Sequence, residues 1–253
     1  MKQFSLKSVA LVGVVASSAV IPLGARAQIL VYFGADSGAG LGSPLPASTA
    51  AATAFDAAAS SFGTLHVLNF ESTPLVLINT YSPVAGLTIT ASPQAAVLNA
   101  PTSSQSNFSG FNTTPGGTNY NFMNGGNETF TFSPPIVGFG AFVTGVQNNA
   151  TYTFNDGTSQ TISFAALFNV GIFGGSFFVG FIDPGRSISS VTLTIANQLG
   201  VGDPVGVDDI RYITPVPESS TGAMLCSGLL TLAVAARVRR VIARETSKPR
   251  VAA

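Results

Sequence analysis

A single cysteine, a single histidine and no tryptophan occur in this chain, and fewer than one residue in ten is charged. Each shortage removes a class of chemistry. The lone Cys226 sits inside an apolar run near the C-terminus, so the rest of the chain has no partner for an intrachain disulfide. His66 lies in the alternating run Leu65-His66-Val67-Leu68 and no G-x-S-x-G elbow is present, which leaves a Ser-His-Asp hydrolase without a framework. One histidine with no usable cysteine is equally poor for zinc. Tryptophan is the most effective platform for stacking a sugar ring, and its absence leaves only Tyr81, Tyr120 and Tyr212 as candidates. Between 28 and 215 the only basic residues are Arg186 and Arg211, set against nine acids, for a net charge of −7. Such a stretch repels phosphate backbones and excludes nucleic acid as a partner.

The other nine basic residues lie at the two ends. Lys2 and Lys7 precede an apolar segment from Val9 to Leu23, and Ala25-Arg26-Ala27 forms an A-x-A site before Gln28. Residues 1–27 therefore read as a signal peptide cleaved at Ala27/Gln28. At the far end Val216-Pro217-Glu218-Ser219-Ser220-Thr221 leads into an apolar run, Gly222 to Ala236, followed by Arg237, Arg239, Arg240 and Arg244. A helix needs roughly 20 residues to cross the hydrocarbon. The run reaches that length only with its flanks, and the arginines stop transfer and stay cytoplasmic. This tail resembles the PEP-CTERM family of exported bacterial proteins. Pro217-Glu218 and Ser220-Thr221 match the family pattern, while Ser219 stands where its second proline usually does. The resemblance implies a transmembrane helix, an exosortase-type sorting protease as partner, and a destination at the cell surface or in an extracellular, biofilm-type matrix.

The segment between the ends alternates apolar residues with Ser and Thr, the period of half-buried strands. Runs at 64–70, 86–91, 128–132, 136–144, 151–154, 160–164, 175–181, 188–196 and 205–213 follow it. Asn155-Asp156-Gly157 signals a hairpin, and Pro134-Pro135, Asp183-Pro184-Gly185 and Gly202-Asp203-Pro204 signal turns. Residues 48–61 are alanine-rich and predict one short helix with Ser48 as N-cap. Residues 100–127, rich in Ser, Asn, Thr and Gly, read as a long loop. The expected fold is all-β, an antiparallel β-sandwich or jelly roll with one N-terminal helix and a C-terminal transmembrane helix. Its likeness to the jelly-roll ectodomains of PEP-CTERM proteins and, more loosely, to carbohydrate-binding modules spans Thr64 to Tyr212. The divisions are 1–27 signal peptide, 28–63 N-terminal segment, 64–215 ectodomain, 216–244 sorting tail and 245–253 cytoplasmic tail.

Carboxylates supply the remaining chemistry. If the first and last strands of the sandwich are neighbours, Glu71, Asp208 and Asp209 offer oxygen ligands for a structural calcium ion, the only cofactor expected. The competing reading pairs Glu71 or Asp209 with Arg211 at the surface. Asn107, Asn112, Asn127 and Asn149 begin N-x-Ser/Thr sequons that composition alone explains. The function expected is that of a non-catalytic structural protein associated with exopolysaccharide. The alternative is a carbohydrate-binding module-like protein.

Overall fold

The computed structural model describes residues 29–75, 79–91, 100–102, 110–124, 126–163, 174–196 and 203–216, together with Arg237. The signal peptide with Ala25, Ala27 and Gln28 lies outside the described residues. So do Pro217 to Thr221, Arg239, Arg240, Arg244, the sequon at Asn107 and the expected transmembrane helix. Among the described residues no helix is long and apolar enough to cross a membrane.

In chain order the elements are β1 (Leu30–Ser37), α1 (Pro46–Ala59), β2 (Gly63–Leu68), β3 (Thr80–Val84), β4 (Leu87–Ala91), β5 (Ala100–Thr102), β6 (Tyr120–Asn124), β7 (Gly126–Ile136), β8 (Gly138–Thr144), β9 (Ala150–Phe154), β10 (Ser159–Ile162), β11 (Gly175–Ile182), β12 (Ile188–Ile195) and β13 (Pro204–Pro215). They form two antiparallel sheets. Sheet A runs β1-β11-β8-β13-β6-β5, with β2 also on β13, and sheet B runs β10-β9-β12-β7-β4-β3.

Period-2 alternation puts one face of each sheet into a shared core. In β12, Val191, Leu193 and Ile195 point inward and are buried, while Thr192 and Thr194 stay half-exposed. Phenylalanine takes the bulk that tryptophan would supply elsewhere. Phe139 lies 5.3 Å from Phe130, 6.0 Å from Phe132 and 6.3 Å from Tyr152 between ring centroids. Each such side chain contributes about 1.5–3 kcal/mol by leaving water.

Sheet A is buried on its outer face as well, so β8 and β11 show no alternation. Helix α1 lies over them, packing Ala51, Ala52, Phe55 and Ala59 on Phe142, Phe178, Ile182 and Ile213. Glycines let it approach. A Cβ on Gly180 would sit on the Phe55 ring, and one on Gly34 would collide with the Ala47 carbonyl.

The helix begins at Pro46, ahead of the expected start, and Ser48 is not its N-cap. The cap comes from another element. Asp36, at the end of β1, accepts from Ala47 N at 2.9 Å through Oδ1, and from Ser48 N at 2.8 Å and Ser48 Oγ at 2.5 Å through Oδ2. A carboxylate there also faces the positive end of the helix dipole. The sheet also takes in β1, which precedes the 64–215 stretch. The long loop holds two strands, β5 and β6, and Pro134-Pro135 lies within β7, at the register shift opposite Ile188 and Ser190. The Asn155-Asp156-Gly157 hairpin forms between β9 and β10, with Gly157 at φ 81°.

Asp36→Ala should lower stability by about 1–2 kcal/mol, the usual cost of a lost N-cap. Thermal melts followed by circular dichroism would test it. A variant as stable as the parent would show that packing alone seats the helix.

Candidate functional site

Strand β13 changes neighbour along one edge. Its first part pairs with β6, Val205 opposite Met123 and Val207 opposite Asn121, and its last part pairs with β2, Ile210 opposite Leu68 and Tyr212 opposite His66. The ladder to β8 slips between Asp208 and Arg211, and Asp209 adopts φ 46°, a left-handed conformation rare outside glycine. Across the fork Phe70, just past the end of β2, adopts φ 59°. The strands read from the sequence at 64–70 and 205–213 are neighbours through the β2–β13 pairing, although the first strand of the sandwich is β1, which pairs with β11.

The segment from Phe111 to Asn119 covers this fork. Phe111 is buried, and its amide and carbonyl are both bonded by Thr144 Oγ1 at 2.9 Å. Glu71 ties the far end of the segment back to its start. Its Oε1 accepts from Asn112 Nδ2 at 2.7 Å, Thr118 N at 2.9 Å and Asn119 N at 3.0 Å. The two aspartates hold the near end. Asp208 Oδ2 accepts from Thr113 N at 2.7 Å and Thr113 Oγ1 at 3.0 Å, while Asp209 accepts from Thr113 Oγ1 at 3.0 Å and Thr114 Oγ1 at 2.9 Å.

The three predicted carboxylates therefore share one loop, but they do not share one point. Among the described residues no three His, Cys, Asp or Glu side chains converge as a metal group. Arg211 neutralises neither Glu71 nor the Asp209 carboxylate. Its Nε pairs with Asp56 Oδ1 at 2.8 Å, and its Nη1 donates to the Asp209 carbonyl at 2.7 Å. Arg186 is engaged by Asp183 at 3.1 Å and Asp156 at 3.3 Å.

Asp208 is fully buried, and its Oδ1 has no hydrogen-bond partner. Burial and then the Asp209 carboxylate push the Asp208 carboxyl up to about 8. Burial likewise pushes Asp203, which accepts from Gln147 N at 2.8 Å, up to about 6.

The aromatic residues considered for sugar stacking are not surface platforms. Tyr120 is fully buried, and Tyr81 and Tyr212 are 8% and 9% exposed. Tyr81 donates to Asn121 Oδ1 at 2.7 Å, and Asn121 Nδ2 in turn donates to both oxygens of the buried Glu128 at 2.9 and 2.8 Å. Sequence reasoning missed this polar bridge between the sheets, because Asn121 falls in a stretch that reads as loop. His66 stacks on Tyr212 with ring centroids 4.8 Å apart and meets Thr214 Oγ1 at 2.9 Å.

The outer face of sheet B was also missed. Thr80, Thr90, Thr129, Thr192, Thr153 and Ser159 are directly opposite one another in sequence across six strands, forming one transverse row. A second row holds Thr194, Thr151 and Thr161, and a third holds Thr88, Thr131 and Ser190. Neighbours bond to each other, as Thr129 and Thr192 do at 2.8 Å. The only charged residue in these six strands is Glu128, which is buried.

No family model matches the chain, and no curated protein does. Among solved structures, a mutant of a family 29 carbohydrate binding module, studied for its mechanism of ligand recognition, aligns at 11% identity and a TM-score of 0.29. The alignment covers 60% of this chain and 87% of that one. A score that low assigns this chain neither a fold nor a ligand.

The raised carboxyls set a pH dependence. Each holds a proton in the folded state that the unfolded chain releases near pH 4, so their stabilising contribution is complete below that pH and is lost as pH rises through about 6 and about 8. In chelator, the melting temperature should fall between pH 5 and pH 8.5. Asp203→Asn and Asp208→Asn should each flatten the fall, and a parent profile flat over that range would refute the assignment.

Proposed function

We propose that this chain is an exported structural protein of the cell surface or extracellular matrix, of the PEP-CTERM type, with a jelly-roll ectodomain that associates with neutral exopolysaccharide and performs no catalysis. The observation that carries the reading is the charge-free hydroxyl face of sheet B. Each Thr hydroxyl is both donor and acceptor, and rows repeating about every 4.7–4.9 Å across the strands offer many equivalent weak hydrogen bonds. Such a surface suits a repetitive, uncharged, polyhydroxylated polymer and gives a charged one nothing to pair with. The buried tyrosines weigh against the alternative of a module that grips one sugar by stacking.

The fold boundaries support the sorting part. The first strand starts at Leu30, just past the Ala27/Gln28 junction, and the last ends at Pro215, where Val216 is 63% exposed. The described sandwich, Leu30 to Pro215, fits between the two processing signals proposed here. An exosortase-type protease would meet the Val216–Thr221 motif where its first residue stands clear of the sheet.

Mass spectrometry of the protein from its native host should find Gln28 at the N-terminus and the apolar run after Ser220 removed. An intact chain through Ala253 would leave only a plain C-terminal anchor. In cosedimentation with an insoluble neutral polysaccharide, the double variant Thr129→Val, Thr192→Val should bind about tenfold more weakly, since each lost hydroxyl bond is worth about 0.5–1.5 kcal/mol. Equal binding at unchanged melting temperature would remove sheet B from the interaction.

A further inference from the structure

We infer that Asp208 and Asp209, with the hydroxyls of Thr113 and Thr114, form a binding site for a calcium ion that fastens the 111–119 segment onto the fork of β13. The site differs from the expected one in its donors. Glu71 is spent on the Asn112 side chain and the amides of Thr118 and Asn119.

The first support is the uncompensated atom. Asp208 is completely buried, and its Oδ1 lacks any partner beside a second carboxylate. A buried acceptor left in that state costs about 1–3 kcal/mol, more when charged. The second is the shortage of positive charge. Both arginines of the 28–215 stretch are held by Asp56, Asp156 and Asp183, and His66 is on the β2 side with Thr214 and Tyr212.

The third is proton counting. The Thr113 hydroxyl has one hydrogen and lies 3.0 Å from an oxygen of each aspartate, so it satisfies one and faces the other with a lone pair. A cation held between the two carboxylates makes up the difference. The donors are all hard oxygens, the set calcium prefers, and two carboxylates place it among weak extracellular-type sites with a dissociation constant of about 10⁻⁴–10⁻³ M.

The full chain in detergent would be melted at pH 8 in 10 mM calcium and in chelator, where calcium should raise the melting temperature by about 3–10 °C. Asp208→Asn and Asp209→Asn should each abolish the shift, whereas Glu71→Gln should retain it. Terbium luminescence, displaced by calcium, reports the site directly should Asp208→Asn fail to fold. Superimposable melts at pH 8, a shift that survives in Asp209→Asn, or an equal shift with magnesium would overturn the assignment. Loss of this site would leave the polysaccharide reading of sheet B untouched, because the two faces share no residue.

Discussion

One backbone constraint organises sheet A: β13 has a single edge facing β6 and β2, and two strands cannot pair with the same residues. The structure resolves it by a fork at Asp208–Asp209, where one partner ends and the other begins. Two non-glycine residues accept a left-handed conformation there, Asp209 on the strand and Phe70 on the approach to it. Such positions cost of order 1–3 kcal/mol each and persist only when their surroundings over-determine them. The surroundings are the 111–119 segment and the three carboxylates that hold it. The acidity of this part of the chain follows from that task, since carboxylates accept amide and hydroxyl protons at many angles.

Double-sided burial is the second constraint. Covering sheet A with α1 requires glycine at Gly34 in β1 and Gly180 in β11, where a Cβ would meet the Ala47 carbonyl and the Phe55 ring. It also explains how the sandwich does without disulfides. Two stacked cores, one between the sheets and one beneath the helix, share β8 and β11, and the interior aromatics tie neighbouring strands together, as Phe142 and Phe178 do, and one sheet to the other, as Phe154 and Phe181 do.

How much of this was legible follows from the same physics. Strands facing water on one side, such as β12 and β9, show their alternation in the sequence and fall where the pattern puts them. Strand β6 was hidden because its inward position is Asn121, whose partners Tyr81 and Glu128 come from the opposite sheet. The helix start was hidden because its cap, Asp36, lies on the preceding strand. The meeting of Glu71 with the fork was readable in outline, yet its separation from Asp208 and Asp209 depends on which backbone amides each oxygen reaches. The hydroxyl rows of sheet B were present as repeated Thr-x-Thr spacings, but they become a surface only once the registers align.

The position of β13 bears on the order of events during synthesis. A chain made from its N-terminus lays down β1, α1, β2, β6, β8 and β11 while the strand that joins β8 to β6 and β2 is still missing. Every pairing of β13 spans a long sequence separation, and such contacts close slowly. Sheet A therefore stays in three pieces, β1-β11-β8, β6-β5 and β2, until residue 215 emerges, and its closure is a late step. A molecule truncated within β13 would lack the keystone of the sheet, however much of the preceding chain it retained.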